Sequence, residues 1–311
     1  MVDDNKIQFK FDHNLDFQAD AIRAVVDVFQ GLPRYDSAFM LGDGIVPNLP
    51  EGEALSESWL FGNLLAVQEA NKIDQVQELD MDDGIVLEGA GYENWRYPSF
   101  TVEMETGTGK TYVYLRTIYE LRKHYGFRKF IIVVPSVAIY EGVIKSFEVM
   151  KRHFASLYGN ETVNLIRYDG SKLSTLRNFA TSSFVEVMVM TIQSFNTAQG
   201  RSSNTIYRAS EQLPGERKPY EYIQETRPIL ILDEPQNMGS DLSKEALRTL
   251  HPLFALRYSA THKEVFNLVY RLTPFDAYQR SLVKRIQVDG VFEQFNLDAG
   301  TVILREVKTK P

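Results

Sequence analysis

The sequence predicts an α/β protein built on a doubly wound, mostly parallel sheet. Three observations carry this. Six short apolar runs recur along the chain, amphipathic segments separate them, and a glycine-rich loop joins the first run to a helix. The runs are FTVEM at 100–104, KFIIVVP at 129–135, VNLIRY at 163–168, VEVMVM at 185–190, PILILD at 228–233 and FALRYSA at 254–260. They are rich in Val, Ile and Phe, and several lack polar alternation, as expected of strands covered on both faces.

Between the strands, TYVYLRTIYELRKHY, AIYEGVIKSFEVMKRHF, SKLSTLRNFA and SKEALRTLHPLF carry apolar residues at helical spacing. Two stretches break the rhythm. Residues 33–97 are rich in Gly, Pro and acid, with one helical candidate, ESWLFGNLLAVQEANK, and read as an insertion before the core sheet. Residues 197–227 are polar, with Arg201, Arg208, Arg217 and Lys218 near Tyr207, Tyr220 and Tyr222. That composition suits a solvated loop; it also suits a mobile nucleic-acid contact in which cations pair with phosphates and rings stack on bases.

Composition sets the outer limits. At 311 residues, 44% hydrophobic and 24% charged, the chain can bury a core of one or two domains. No apolar run approaches the roughly 20 residues of a membrane span, and the polar, acidic start does not resemble a signal peptide. The absence of cysteine excludes disulfides and thiolate metal sites and is compatible with a reducing cytoplasm. A net charge of -7 argues against a uniformly basic surface but leaves room for a local cationic groove. His13, His124, His153, His251 and His262 are scattered, without zinc-site spacing, and default to surface or helix-end positions.

METGTGKT at 104–111 has the chemistry of a phosphate loop. Such a loop turns backbone N–H groups inward at a helix start, and needs glycine where a side chain would block the phosphates. Gly107 and Gly109 supply the glycines, with Thr106 and Thr108 beside them; Lys110 can reach the outer phosphates and Thr111 can ligate Mg²⁺. Met104 stands where the usual pattern has glycine, at the strand end, where its side chain can pack into the core. The second requirement is a carboxylate at a neighbouring strand end. PILILDEPQ provides Asp233 for the metal and Glu234 to orient and deprotonate an attacking water.

GTGKT, DEPQ and SAT (Ser259, Ala260, Thr261), in that order and each at a strand end, resemble motifs I, II and III of superfamily-two helicases and translocases. DFQADAIRAVVDVF resembles the segment whose glutamine, here Gln18, recognises adenine, while VVPSVAIYEGV and VMTIQSFN resemble two DNA-contacting motifs. More narrowly, EMETGTGKTYVYLRTIYEL, DEPQNM and YRLTPFDAYQRSLVKRI resemble the Res subunit of type III restriction-modification enzymes.

The resemblance implies the first RecA-like P-loop NTPase domain of such a motor, with ATP and Mg²⁺ as cofactors. It divides the chain into 1–32, carrying the adenine-recognising glutamine; the insertion 33–97; the ATP-binding core 98–262; and 263–311, the start of a connection to a second motor domain. Gly107, Thr108, Gly109, Lys110 and Thr111 would then hold phosphate and Mg²⁺, Asp233 and Glu234 would drive hydrolysis, and Ser259 and Thr261, with Gln236, would couple the nucleotide to the track. Pro135, Ser136, Thr191 and Gln193 would touch the backbone of one strand of double-stranded DNA. The partner would be a methyltransferase subunit that reads sequence. Plain structural roles stay open: Gln18 as a surface helix residue, Ser259 and Thr261 as turn residues, Gln236 and Asn237 as caps.

No glycine-arginine motif of a second motor domain is present, so the chain reads as part of a larger enzyme whose C-terminal motor and nuclease domains are missing. Weak activity in isolation is expected. Asp298, then TVIL, then Glu306 and Lys308 outline a nuclease centre, but a charged strand end explains so short a pattern better. Two other readings remain: a nucleotide-binding regulatory or scaffold module, and an RNA-directed helicase.

Overall fold

The computed structural model describes residues 11–35, 44–50, 52–86, 94–195, 205–208 and 217–284. In chain order the elements are α1 (Asp16–Asp27), α2 (Glu57–Ala70), β1 (Met81–Ile85), β2 (Asn94–Met104), α3 (Lys110–Tyr125), β3 (Lys129–Val134), α4 (Val137–Leu157) and β4 (Val163–Arg167). There follow α5 (Leu173–Thr181), β5 (Val185–Thr191), α6 (Pro219–Thr226), β6 (Ile229–Asp233), α7 (Asp241–Thr249), β7 (Phe254–Ser259), β8 (Leu268–Leu272) and α8 (Pro274–Gln279).

The strands form one eight-stranded sheet in the order β1-β2-β7-β6-β3-β5-β4, with β8 also paired to β2. All pairings are parallel except that of β1 with β2. The strand period of two then sorts the core into two layers. Phe130, Ile132 and Val134 of β3 point into a layer with α1, α2, α3 and α4, while Ile131 and Val133 point into a layer with α5, α6 and α7. All six residues of β3 are buried, which is why its sequence shows no polar alternation. The doubly wound α/β fold is therefore present, and all six apolar runs are strands.

Three local readings change. Part of the 33–97 stretch belongs to the core: Leu60, Leu64 and Val67 of α2 are buried against it, and β2 begins at Asn94. The polar stretch 197–227 is not simply a loop, since it contains α6, and Tyr207, Tyr220 and Tyr222 are buried in the second core layer. Those rings cannot stack on bases. Of its cations, Arg217 lies over the Tyr222 ring and pairs with Glu225, and Lys218 lies over Tyr220; Arg201 is outside the described residues. Finally, the helix expected to run through SKEALRTLHPLF stops at Thr249, because His251 adopts φ 48° and Pro252 follows.

Candidate nucleotide site at the strand ends

The parallel topology brings the ends of β2, β6 and β7 side by side, since β7 pairs with both of the others. Their following loops therefore meet, as is general for open α/β sheets. Met104 closes β2 with its side chain wholly buried in the core, so the residue in place of glycine does not obstruct the loop. Thr106 and Gly107 form the exposed tip of the loop. Gly107 and Gly109 have φ of 82° and 91°, values that a side chain would strain. Thr108 is turned inward, its hydroxyl donating to Glu105 O at 2.6 Å and its N–H to the same oxygen at 3.3 Å. It ties the loop back on itself.

Gln18 is buried in α1, and its side-chain amide donates to Thr108 O at 2.9 Å. The surface-residue alternative for Gln18 is thereby excluded. A methyl group on Gly109 would sit 2.5 Å from Gln18 Nε2, so the glutamine packs directly against the loop.

Lys110 opens α3 and reaches across to β6. Its Nζ lies 3.3 Å from both Met104 O and Glu234 Oε1. The other carboxylate oxygen of Glu234 accepts from Gln236 Nε2 at 2.7 Å and lies 2.7 Å from the Ser259 hydroxyl. Ser259 Oγ is also 2.9 Å from Thr261 O and accepts the Thr261 N–H at 3.1 Å. One hydroxyl proton faces two acceptors, Glu234 and the Thr261 carbonyl, and can serve one at a time. Glu234 itself sits at φ 55°, a conformation held by its N–H bond to Tyr258 O at 2.9 Å. Burial works against its charge, but Gln236, Ser259 and Lys110 outweigh that and hold its pKa below the usual carboxylate range. Asp233 has the opposite balance: burial, then the charge of Glu234, pushes its pKa up to about 6.

The sequence motifs did not single out Tyr114. Its buried hydroxyl donates to Asp233 Oδ2 at 3.2 Å and also bonds the Thr111 side chain. The helical spacing i, i+3 from Thr111 was the available signal. Among the described residues no cluster of three or more His, Cys, Asp or Glu side chains could cage a metal. The donor set present, one hydroxyl and one carboxylate bridged by Tyr114, instead suits Mg²⁺ completed by water and ligand phosphates.

The four residues assigned to nucleic acid lie at the ends of β3 and β5. Gln193 Nε2 donates to Pro135 O at 2.9 Å, joining the two loops; Ser136 caps α4; and Thr191 Oγ1 lies 2.9 Å from Ser194 Oγ. Each thus has an internal structural partner, while Gln193 and Val137 remain exposed. Asp298, Glu306 and Lys308 lie outside the described residues.

The family model described as "Type III restriction enzyme, res subunit" matches residues 64–264. The EcoPI Res subunit of Escherichia phage P1 is 29% identical over 298 residues, covering 89% of this chain and 29% of that protein. The EcoP15I Res subunit of Escherichia coli is 29% identical over 297 residues with the same coverage. The StyLTI Res subunit of Salmonella typhimurium is 32% identical over 183 residues, 53% of this chain and 18% of the relative. The chain therefore spans less than a third of the length of the relatives it matches. Among solved structures, a nuclease-deletion mutant of the type ISP restriction-modification enzyme LlaGI with a DNA substrate mimic gives a TM-score of 0.38 and 15% identity, covering 58% of this chain and 18% of that one. The family match takes in the phosphate loop, DEPQ and SAT together, and on that ground the chain belongs to the Res subunits of type III restriction enzymes.

Proposed function

We propose that the chain is the ATP-binding motor part of a restriction subunit that couples ATP hydrolysis to movement on double-stranded DNA, alongside a methyltransferase subunit. One observation carries the reading: Lys110, Glu234, Gln236 and Ser259 are joined by contacts of 2.7–3.3 Å, so motifs I, II and III form one connected network.

Each residue has a role that its geometry permits. The loop from Thr106 to Gly109 would offer backbone N–H groups to the phosphates, and Lys110 would exchange Glu234 for the outer phosphate oxygens. Thr111 and Asp233 would hold Mg²⁺, which when bound neutralises phosphate charge. Released from Lys110, Glu234 keeps its bonds to Gln236 and Ser259, and so stays oriented and ionised to take a proton from the attacking water. Ser259 would report that change, because its single proton passes between Glu234 and the loop carbonyl of Thr261. Gln18 would support the loop from behind while its amide meets the base. Pro135, Ser136, Thr191 and Gln193 would face the DNA backbone.

The test is nucleotide binding by this chain, with turnover measured in the presence of duplex DNA and a methyltransferase subunit. Mg-ATP binding is expected for the wild type and for Glu234→Gln, and is expected to fall at least about tenfold in Lys110→Ala. Duplex DNA should stimulate hydrolysis, and Glu234→Gln should lower it by about 10²-fold or more. Binding without DNA-stimulated turnover would favour the regulatory or scaffold reading, and equal stimulation by RNA would favour an RNA track.

A further inference from the structure

Arg257, on β7 two residues before Ser259, is 6% exposed and forms no hydrogen bond or ion pair among the described residues. Its guanidinium lies 4.7 Å from the centre of the Phe266 ring, and its Nε is buried without an acceptor. A buried, unpaired charge is strongly destabilising unless something compensates it. The acids whose charge it feels are engaged elsewhere. Asp82 accepts from Arg248 Nε at 2.6 Å, and Glu264 pairs with Lys244 at 2.7 Å. Two guanidiniums thus share one buried carboxylate, leaving an excess positive charge.

Arg257 lines a cavity of about 510 Å³ beside the tails of DEPQ and SAT. Gln236, Asn237, His262, Lys263 and Glu264 line it with Arg257, the Glu264 carboxylate being held by Lys244, and Gln236 Oε1 is buried without a partner. We propose that this cavity is a second anion site, separate from the phosphate loop, and that it takes a phosphate group bound by Arg257 and Lys263. The donors number more than the two oxygens of a carboxylate would use, which favours a tetrahedral oxyanion. Gln236, whose Nε2 donates to Glu234, also lines the cavity, which places the anion beside the network around Glu234. The phosphate is either free or part of a nucleic-acid backbone.

The experiment is urea unfolding of the full chain at fixed ionic strength, in chloride, in inorganic phosphate, and in chloride with a short DNA duplex. Lys110→Ala serves as the background, so that phosphate on the loop does not contribute. Phosphate is expected to raise the unfolding midpoint of Lys110→Ala with a logarithmic dependence on concentration. Adding Arg257→Met should abolish the rise and, in chloride, move the midpoint upward, because the uncompensated charge has gone. Arg257→Lys should fold like the parent and need about tenfold more phosphate for the same rise. A DNA response that Arg257→Met removes would assign the phosphate to the nucleic-acid backbone; a response to inorganic phosphate without one to DNA would assign a free anion. No phosphate effect in Lys110→Ala, or the same effect after Arg257→Met, overturns the proposal.

Discussion

Adding one methyl group at each of two loop glycines separates two kinds of constraint. At Gly107 nothing lies within 4 Å of the added carbon, so Gly107→Ala meets only the φ penalty, on the order of 1–2 kcal/mol. At Gly109 the same penalty is joined by contact with Gln18 Nε2, whose displacement breaks a buried hydrogen bond worth about 1 kcal/mol more. Gly109→Ala should therefore lower stability by about 1 kcal/mol more than Gly107→Ala, and Gln18→Ala should cost less in the Gly109→Ala protein than in the wild type. Strictly additive urea-unfolding free energies would refute the contact. Tyr114→Phe tests a different link. The ring stays packed while Asp233 loses its donor, so the Mg²⁺ concentration for half-maximal nucleotide binding should rise by about tenfold with little change in apparent affinity at saturating Mg²⁺. The loop, Asp233 and Glu234 stood out in the sequence because the acid pair, common by itself at a strand end, follows a strand, a GTGKT loop and a helix in the order that phosphate binding requires. Tyr114 did not, because a tyrosine on an apolar helix face reads as core, and only the fold shows its hydroxyl reaching Asp233.

His251 ties the end of α7 to the start of β2. Its ring stacks on Trp95 with centroids 4.0 Å apart and planes 10° from parallel, and Gln224 Nε2 lies 3.2 Å from its Nε2. Burial pushes its pKa down to about 4, against about 6.5 in an unfolded chain. Below pH 6.5 the unfolded state takes up a proton that the folded state refuses. Stability present above that pH is accordingly lost as the pH falls toward 4, by at most roughly 3 kcal/mol. Urea midpoints at several pH values should show this loss in the wild type and a flatter profile in His251→Gln; matching slopes would rule out His251 as the source. Legibility at this scale followed burial. The interior parallel strands declared themselves as apolar runs, whereas β1, MDDGI, lies at the antiparallel edge and is half polar, so it carries no such signal. In α6 the buried face is built from Pro219, Tyr220, Tyr222 and Ile223, among charges that made the segment read as solvated.

The stretch 33–97 raises the question of what the smallest folding unit is. Its α2 lies over β8, the strand that pairs with the outer side of β2, and satisfies backbone groups there. Gln68 Nε2 donates to Leu268 O at 3.0 Å and Asn71 Nδ2 to Val269 O at 2.9 Å, while Asn267 bonds both the N–H and the C=O of Asp80. An edge so covered is protected from pairing with other chains. Leu60, Leu64 and Val67 add three buried side chains, each worth about 1.5–3 kcal/mol. Their sum is comparable with the whole stability of a domain, roughly 5–15 kcal/mol. The family match begins at residue 64, inside α2, in keeping with a helix that belongs to the shared core. Replacing residues 55–80 by a short Gly/Ser linker should thus remove cooperative urea unfolding altogether, not merely trim a surface feature. Gln68→Ala, which leaves the packing in place but orphans the Leu268 carbonyl, should lower stability by about 1–3 kcal/mol and keep a single transition. A linker variant that unfolds cooperatively within about 2 kcal/mol of the wild type would instead make the stretch a dispensable insertion, and the sheet from β2 to β8 would then be able to stand without the helix that covers it.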